Sequence, residues 1–241
     1  MENSENKKID YFLPASIIIA AVLISGAWVY SAGLKNLPSK EVIGEKQQKA
    51  QILDAVDNVS EINNEDHIRG NPNALIKIIE FSDMECPFCK NFHQTMIKII
   101  SEYGSSGKVA WIYRHFPLEQ LHSKAKTSAV ASECAAELGG NNAFWNFLDK
   151  YFEITPSNDK FNLSELPKVA QNIGLNVQQF ENCLNSGKYD EKIESQIQEA
   201  MDSGARGTPY SILIDKNNKK QKIDGSLPYS ELKTLIEEAL R

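Results

Sequence analysis

The sequence contains few cysteines, few histidines and no excess of positive charge. Its formal net charge is −6, and this acidic balance argues against a nucleic-acid-binding surface. Only four cysteines occur among 241 residues, and they form one closely spaced pair, whereas a structural zinc site usually needs two. Charged and aromatic residues, at 24% and 9%, have the proportions of an ordinary globular protein. We therefore expect a globular protein that binds no nucleic acid, no metal and no cofactor.

Long hydrophobic runs are also scarce, and the longest uncharged one lies near the N-terminus. Residues 11–34 carry no charge and are bounded by Asp10 and Lys35. A helix needs roughly 20 apolar residues to cross a bilayer core, so this run predicts a transmembrane anchor after a short tail at 1–10. A cleaved signal peptide, with the protein then secreted, is the alternative, but the run is longer than a usual signal core. Positive charges lie on both sides of the run, so they do not set its orientation.

The rest of the chain predicts a spacer followed by one α/β domain. Residues 35–66 are polar and charged, which indicates a spacer that lifts a domain at 67–241 off the membrane. Hydrophobic periodicity predicts the order strand, helix, strand, helical insertion, strand, strand, helix, with the insertion at about 120–204. The predicted strands cover 74–82, 109–116, 209–215 and 220–224, and the predicted helices cover 87–103, 123–138, 143–153, 163–173, 177–185, 190–203 and 228–240.

Two cysteines separated by two residues lie where the first predicted strand leads into the first predicted helix. The free N–H groups and the dipole of a helix N-terminus stabilise a thiolate, which is the reactive form of cysteine. Pro87 suits the first helical turn, where its missing N–H has no consequence. We interpret Cys86 as the nucleophile and Cys89 as the resolving thiol of a redox pair. A zinc half-site is the alternative, which the absence of a second close pair makes improbable.

These residues support a resemblance to a known family. Residues 80–93 (Glu-Phe-Ser-Asp-Met-Glu-Cys-Pro-Phe-Cys-Lys-Asn-Phe-His), with Gly-Thr-Pro at 207–209, resemble the thioredoxin superfamily, and in particular the DsbA-like branch of bacterial extracytoplasmic disulfide oxidoreductases. The resemblance covers roughly 67–241, including the helical insertion. It implies a thioredoxin-like fold with an inserted helical subdomain, and a cis Pro209 that faces the two cysteines.

The same resemblance implies roles for further residues. It matches Glu80 to a buried acid that relays a proton to or from the resolving cysteine. The alternative is a strand-edge acid facing water, although a carboxylate within an apolar strand is costly to bury without a partner or a role. The resemblance also implies that the backbone before the cis proline pairs with extended substrate. The expected substrate-binding residues are Thr208, Pro87 and Phe88.

Cys134 and Cys183 lie 49 residues apart in helical patterns. Some DsbA-like proteins carry a structural disulfide in the insertion, so the resemblance makes a bond between these two cysteines an expectation in an oxidising compartment. A closed loop of about 50 residues would contribute on the order of 4 kcal/mol in the chain-entropy model. The alternative is that both are small buried hydrophobic residues.

Charged residues near the redox pair are expected to adjust its chemistry. We interpret Asp83 and Glu85 as solvated surface acids, whose negative charge opposes the effect of the helix on Cys86. The pKa of Cys86 is therefore predicted to be lowered, but less than in the strongest oxidants. His93, one turn after Cys89, is expected on a helix surface, with a role in adjusting the site as the alternative. The remaining histidines, which have no partner visible in the sequence, are His67, His115 and His122.

Together these features predict a membrane-tethered thiol–disulfide oxidoreductase outside the cytoplasm. It would introduce disulfides into protein substrates and be reoxidised by a membrane redox partner. The direction of electron flow is open, because reduction or isomerisation uses the same atoms and 30 mV corresponds to about 1.4 kcal/mol. Two alternatives of other kinds are a reductase facing the cytosol and a peptide-binding module whose cysteines are only structural.

Overall fold

Within residues 55–241, the part of the chain that the computed structural model describes, five strands form one mixed sheet. The strands are β1 His67–Gly70, β2 Ile76–Ser82, β3 Val109–His115, β4 Tyr210–Ile214 and β5 Lys220–Asp224. Their order in the sheet is β1–β3–β2–β4–β5. β2 and β3 are parallel, and the other neighbouring pairs are antiparallel.

Helices connect and cover the strands. α1 links β2 to β3, as a parallel pair requires a crossover connection. Four helices between β3 and β4 form an inserted helical subdomain, as predicted. The helices are α1 Pro87–Tyr103, α2 Ala125–Ile154, α3 Leu166–Asn172, α4 Val177–Leu184, α5 Asp190–Asp202 and α6 Tyr229–Ala239, and a short 3-10 helix at Leu163–Glu165 precedes α3.

β2 lies at the centre of the sheet, with a hydrophobic core on each face. Ile76 and Ile78 belong to the larger core, beneath α1 and the inserted helices, whereas Ile79 and Phe81 belong to a second core on the opposite face. Side chains alternate between the faces of a strand. Glu80 therefore points toward the side of the sheet that α1 covers.

β1 was not predicted from the sequence. It is only four residues long and pairs antiparallel with β3 at the edge of the sheet, with His67 opposite Tyr113. Its sequence, His-Ile-Arg-Gly, contains a single aliphatic residue. Pairing with the buried β3 stabilises this segment, and no local hydrophobic pattern marks it.

The end of the predicted spacer is part of the folded domain. Val56 and Val59 are buried in the second core. Asp66 receives two hydrogen bonds from Arg114 of β3, each 2.8 Å long. The prediction of a spacer over 35–66 is therefore wrong for residues 55–66, because two valines and one acid find partners that only the folded sheet provides.

α2 is interrupted where the sequence predicted a boundary between two helices. Gly140 adopts φ 71° and ψ −168°, a conformation that is essentially restricted to glycine. α2 therefore consists of two helical segments that meet at a kink at Gly140, in agreement with the two helices predicted at 123–138 and 143–153.

Several predictions concern residues that the structure does not describe. The tail at 1–10, the anchor at 11–34 and the spacer up to residue 54 lie outside the described residues. Within 55–241, no helix combines the length and apolar character needed to cross a membrane.

Candidate active site

Cys86 and Cys89 lie at the start of α1, directly after β2. Cys86 is the extended residue before the helix, and Pro87 occupies the first helical position, as expected. The Cys86 N–H donates to the Asp83 carbonyl at 3.1 Å, and the Cys86 carbonyl accepts from Lys90 N–H at 3.1 Å. The backbone thus turns sharply from β2 into α1, which brings both sulfurs to the carboxyl end of the central strand.

The two thiols have opposite properties. Hydrogen bonding to the Cys89 side chain lowers the pKa of the Cys86 thiol to about 6. Burial acts in the opposite direction and favours the neutral thiol. Further hydrogen bonds, from the backbone N–H groups of Cys89 and Phe88 and from Thr208, also lower the pKa. Burial, together with hydrogen bonding and charge at Cys86, raises the pKa of Cys89 well above its ordinary value. Both cysteines are free thiols in this structure. The direction predicted for Cys86 agrees with this geometry, and the arrangement makes Cys86 the better nucleophile.

Thr208 and Pro209 face the redox pair from the opposite side. Their peptide bond is cis, as the resemblance implied. The Cys86 thiol donates to the Thr208 carbonyl at 3.4 Å. These two segments, 122 residues apart in the chain, therefore meet at the site.

Glu80 lies below the redox pair and is almost completely buried, at 1% exposure. Its Oε2 accepts a hydrogen bond from the Trp111 indole N–H at 2.8 Å, while Oε1 has no hydrogen-bond partner among residues 55–241. Burial raises the pKa of Glu80 to about 7, and its charge contributes to the raised pKa of Cys89. The alternative of an acid at a solvated strand edge is thus wrong. A proton-exchanging role remains a prediction.

Asp83 and Glu85 are not surface acids, contrary to the prediction. Asp83 is 1% exposed and Glu85 is fully buried. One Asp83 carboxylate oxygen accepts from Glu85 N–H at 2.8 Å; the other accepts from Leu118 N–H at 2.9 Å and contacts His122 Nδ1 at 2.9 Å. Burial of these charges is possible because each carboxylate oxygen has a donor.

Glu85 joins the connection between β2 and α1 (residues 83–86, the redox loop) to the inserted helices. The Tyr151 hydroxyl of α2 donates to Glu85 Oε1, and Asp159 N–H donates to Oε2 at 2.8 Å. The Glu85 carbonyl accepts from Asn158 N–H at 2.7 Å. Burial raises the pKa of Glu85 despite these donors.

The histidines are buried and paired with acids. His93, expected on a helix surface, is fully buried, and its Nε2 lies 2.8 Å from Asp149. His67 and His115 both contact one oxygen of Glu133, at 2.9 and 3.0 Å, and Lys192 donates to the other at 2.8 Å. The prediction that His93 lies on a helix surface is therefore wrong, because the inserted helices pack against the face of α1 that contains His93.

The three residues expected to bind substrate differ in their exposure to solvent. Phe88 is 61% exposed, Pro87 is half-buried, and Thr208 is half-buried beside Cys86. A second exposed apolar side chain, Leu121 at 72%, precedes His122 in the chain. The roles of Thr208, Pro87 and Phe88 in substrate binding remain predictions.

Two further features concern the predicted disulfide and metal binding. Cys134 of α2 and Cys183 of α4 are joined in a disulfide. In the described part of the chain, no three histidine, cysteine or acidic side chains are grouped as ligands for a metal ion.

Sequence reasoning placed Asp83 and Glu85 beside the redox pair but expected them in solvent, and it assigned no role to His122. The first two lie within three residues of Cys86 in a segment otherwise rich in apolar side chains. The apolar neighbours of these two acids indicate burial, because polar side chains at the end of a buried strand are enclosed together with the apolar residues around them. No local signal links His122 to Asp83, since 39 residues separate them.

Comparison with known proteins identifies the family. A family model described as Thioredoxin matches residues 62–238. The solved structure of DsbA2 from Pseudomonas aeruginosa is 25% identical, with a TM-score of 0.61 over 74% of this chain and 96% of its own. α-DsbA1 from Wolbachia pipientis is 25% identical, with a TM-score of 0.66 over 76% of this chain and 95% of its own.

A curated relative is longer than this chain. The protein named Na(+)/H(+) antiporter NhaA 1 from Mycobacterium sp. (strain KMS) is 30% identical over 156 residues, which cover 64% of this chain and 24% of the antiporter. The chain thus spans about a quarter of the length of the curated relatives it matches first. From the match of the family model over most of its length and its likeness to DsbA structures, the chain belongs to the thioredoxin family, in its DsbA-like branch.

Proposed function

We propose that the protein is a membrane-tethered thiol–disulfide oxidoreductase that introduces disulfides into proteins outside the cytoplasm. The observation that carries this proposal is the asymmetry of the redox pair. The pKa of Cys86 is lowered to about 6, whereas that of the buried Cys89 is raised. One sulfur is therefore a thiolate at neutral pH, and the other is a protonated thiol.

This asymmetry favours the oxidising direction. A stabilised thiolate lowers the free energy of the reduced enzyme, so the oxidised enzyme gains more on accepting electrons. A reductase needs the opposite balance, in which the disulfide form is the more stable one. The lowered pKa of Cys86 therefore supports disulfide formation over reduction, although isomerisation uses the same thiolate.

The reaction consists of two thiol–disulfide exchanges. A substrate thiolate attacks Cys86 Sγ of the oxidised enzyme; a substrate–Cys86 bond forms, the Cys86–Cys89 bond breaks, and Cys89 leaves as a thiolate that takes up a proton. A second substrate thiolate then attacks the substrate sulfur of the mixed disulfide, and Cys86 leaves as a thiolate. The substrate loses two electrons and the enzyme gains two, which a membrane redox partner must remove.

Glu80 is suited to supply the proton for Cys89. The Cys89 thiolate is disfavoured by burial and by nearby negative charge. Glu80, with a pKa of about 7, holds a proton in about half of the molecules at neutral pH. We propose that Glu80 gives this proton to Cys89 when it leaves, and accepts it again during reoxidation.

The proposed substrates are proteins with free cysteines, held near Thr208. An extended substrate segment that pairs with the backbone before Pro209 would lie beside the Cys86 sulfur, since that sulfur already contacts the Thr208 carbonyl at 3.4 Å. Phe88, exposed between the cysteines, offers apolar contact to the same segment.

The proposed location rests on two observations. A disulfide such as Cys134–Cys183 persists in oxidising compartments and is rare in the cytosol. The uncharged run at 11–34 is long enough to anchor the domain, or to be removed as a signal peptide with secretion of the protein. A topology reporter fused after Arg241 tests the location; activity of the reporter only on the cytosolic side would favour a cytosolic reductase.

The equilibrium redox potential of Cys86–Cys89 against glutathione tests the direction. We expect a value less negative than about −200 mV, in the range of disulfide isomerases and DsbA-type oxidants. A value near the −270 mV that is typical of thioredoxin would overturn the oxidase proposal.

Two cysteine variants test catalysis itself. Cys89→Ala should accumulate mixed disulfides with substrate proteins that already contain a disulfide, because the Cys86 thiolate can attack that disulfide but no Cys89 thiol can then displace the bound substrate sulfur. Cys86→Ser should form none and lose exchange activity. Full activity of Cys86→Ser would instead support a peptide-binding module with structural cysteines.

A further inference from the structure

Asp83 contacts both cysteines through its backbone. Its N–H donates to Cys89 Sγ at 3.4 Å, and its carbonyl accepts from Cys86 N–H at 3.1 Å. A shift of this one residue would therefore move both sulfurs. The two-step exchange does not explain why a buried acid occupies this position.

The Asp83 side chain is held by three donors. Glu85 N–H donates to Oδ1, while Leu118 N–H and His122 Nδ1 contact Oδ2. The two contacts on Oδ2 come from the connection between β3 and α2, so the carboxylate ties the redox loop to a distant segment. His122 is the only one of these three donors that can carry a positive charge.

An unneutralised carboxylate at Asp83 would work against a thiolate at Cys86. Like charges close together disfavour the ionised form of each group, whereas an opposite charge favours it. Neither cysteine is flanked by a basic residue within the Cys-Pro-Phe-Cys motif, since the residues between them are Pro87 and Phe88. A cation that neutralises Asp83 must come from elsewhere in the fold.

His122 is placed to supply that cation. It is 7% exposed and lies 2.9 Å from the buried Asp83 carboxylate. Burial acts to lower the pKa of His122, but the hydrogen bond and charge of Asp83, with the charge of Cys86, outweigh it and raise the pKa above its ordinary value. The fold thus stabilises the imidazolium form of His122 relative to an isolated histidine.

We propose that Asp83 and His122 form a positioning pair for the redox loop, in which the positive charge of His122 sets how strongly Cys86 is held as a thiolate. This inference rests on the proposed redox function and deepens it. It assigns to His122 the neutralisation of the Asp83 carboxylate, because Pro87 and Phe88, the residues between the two cysteines, carry no positive charge.

The groups that face His122 come from three segments. They are Asp83 before the motif, Cys86 at the start of α1, and Asp159 in the turn after α2. Asp159 already accepts hydrogen bonds from Ser123 and Lys124 backbone N–H groups at 2.8 and 3.0 Å. Asp83 is the one among them with a direct hydrogen bond to the imidazole.

His122→Asn separates the charge from the hydrogen bond. The asparagine amide nitrogen can take the place of Nδ1 and still donate to Asp83, but it carries no charge at any pH. We expect the pKa of Cys86, measured by thiolate absorbance and by alkylation rate, to rise by about one unit. This weaker stabilisation of the thiolate makes the redox potential more negative, by at most about 30 mV, the value for a full tenfold change in the redox equilibrium.

His67→Gln is the matched control. His67 is 8% exposed and its Nε2 lies 2.9 Å from the buried Glu133 carboxylate, so it resembles His122 in burial and pairing. The glutamine amide nitrogen replaces Nε2, the imidazole ring is removed, and β1 lies two strands from β2. The pKa of Cys86 should not change in this variant.

A measurement on the unmodified protein protects the test against misfolding of the variant. Two interacting charged groups shift each other's pKa by the same amount. Oxidation of the redox pair removes the Cys86 thiolate, so the pKa of His122 should then fall by about one unit. NMR titration of the reduced and oxidised proteins measures this change.

An unchanged His122 pKa on oxidation, or an unchanged Cys86 pKa in folded His122→Asn, would overturn the pairing. These outcomes are independent of the proposed function, since a potential near that of thioredoxin would refute the oxidase while leaving the His122–Cys86 coupling intact.

Discussion

Glu80 shows how one buried carboxyl group makes stability depend on pH. Burial raises the pKa of Glu80 from 4.5 to about 7. Between these two values the folded protein keeps a proton that the unfolded chain has released, so the free energy of unfolding falls as the pH rises. A shift of this size corresponds to about 3 kcal/mol across the window. The sign is opposite to that of a carboxylate stabilised by a salt bridge.

Glu80→Gln should remove this dependence. The variant has no titrating carboxyl group at this position, and its amide oxygen can still accept from Trp111. We expect its stability relative to the parent protein to increase by about 3 kcal/mol between pH 4 and pH 8. Urea unfolding of both reduced proteins across this range measures the difference.

Glu133→Gln provides the contrast for this measurement. The hydrogen bonds and charges of His115 and His67 outweigh burial and hold the pKa of Glu133 well below 4.5, so its contribution is present above that pH and is lost as the pH falls. Glu133→Gln should therefore change how the free energy of unfolding depends on pH below about 4.5. Equal slopes for Glu80→Gln and the parent protein would contradict a raised pKa at Glu80.

Among the helices, the Cys134–Cys183 bond is the covalent link between α2 and α4. It closes a loop of 49 residues that contains the break at Gly140 and the whole of α3. Closing such a loop restricts the unfolded chain more than the folded one, which stabilises the fold. Several of the inserted helices are short: α3 has 7 residues and α4 has 8.

Replacing both cysteines of this disulfide with alanine should lower the free energy of unfolding by about 4 kcal/mol. The redox potential of Cys86–Cys89 should stay the same, because the bond lies in the insertion and not at the site. Thermal unfolding and the glutathione equilibrium measure the two quantities. A large change in potential with little loss of stability would contradict a purely structural role.

For the molecule as a whole, the contact between the redox loop and the inserted subdomain matters most. Glu85, the residue before Cys86, accepts hydrogen bonds from Tyr151 in α2 and from Asp159 N–H in the following turn. Ser157, Asn158 and Asp159 all have positive φ, between 54° and 61°, which is costly for residues other than glycine. The turn is held in this conformation by its bonds to Glu85, so the two parts of the domain determine each other's geometry.

Tyr151→Phe should weaken this connection. The variant leaves one oxygen of the buried Glu85 carboxylate without its donor, which costs about 1–3 kcal/mol. The rate of alkylation of Cys86 should also change, because the loop that carries it loses a support. Denaturant unfolding and alkylation kinetics measure both effects.

Tyr189→Phe is the corresponding control. The Tyr189 hydroxyl donates to Glu137 at 2.9 Å, but at an exposed position, where water can replace the donor. We expect a loss of less than about 1 kcal/mol and no change at Cys86. Equal losses in the two tyrosine variants would show that the link to Glu85 has no special role.

The local pattern of the chain was sufficient to predict several helices and strands and the redox pair. The bounds predicted for α1, 87–103, agree with the structure, because the stripe of apolar residues, the N-terminal proline and the glycine after the helix are all local features. The redox pair was likewise evident, since both cysteines lie on one helix start. β5 was predicted at its observed residues, 220–224.

The tertiary structure decided which charges are buried and with what they pair. Asp83, Glu85 and His93 read as surface residues in the sequence, yet each is buried against a partner more than 35 positions away. Their burial follows from the packing of the β3–α2 connection and of the inserted helices around the start of α1, which no window of local sequence contains. The sequence thus determined the chemistry of the two sulfurs, while long-range packing decided the charges that adjust it, because electrostatic energies depend on distance and burial in the folded state.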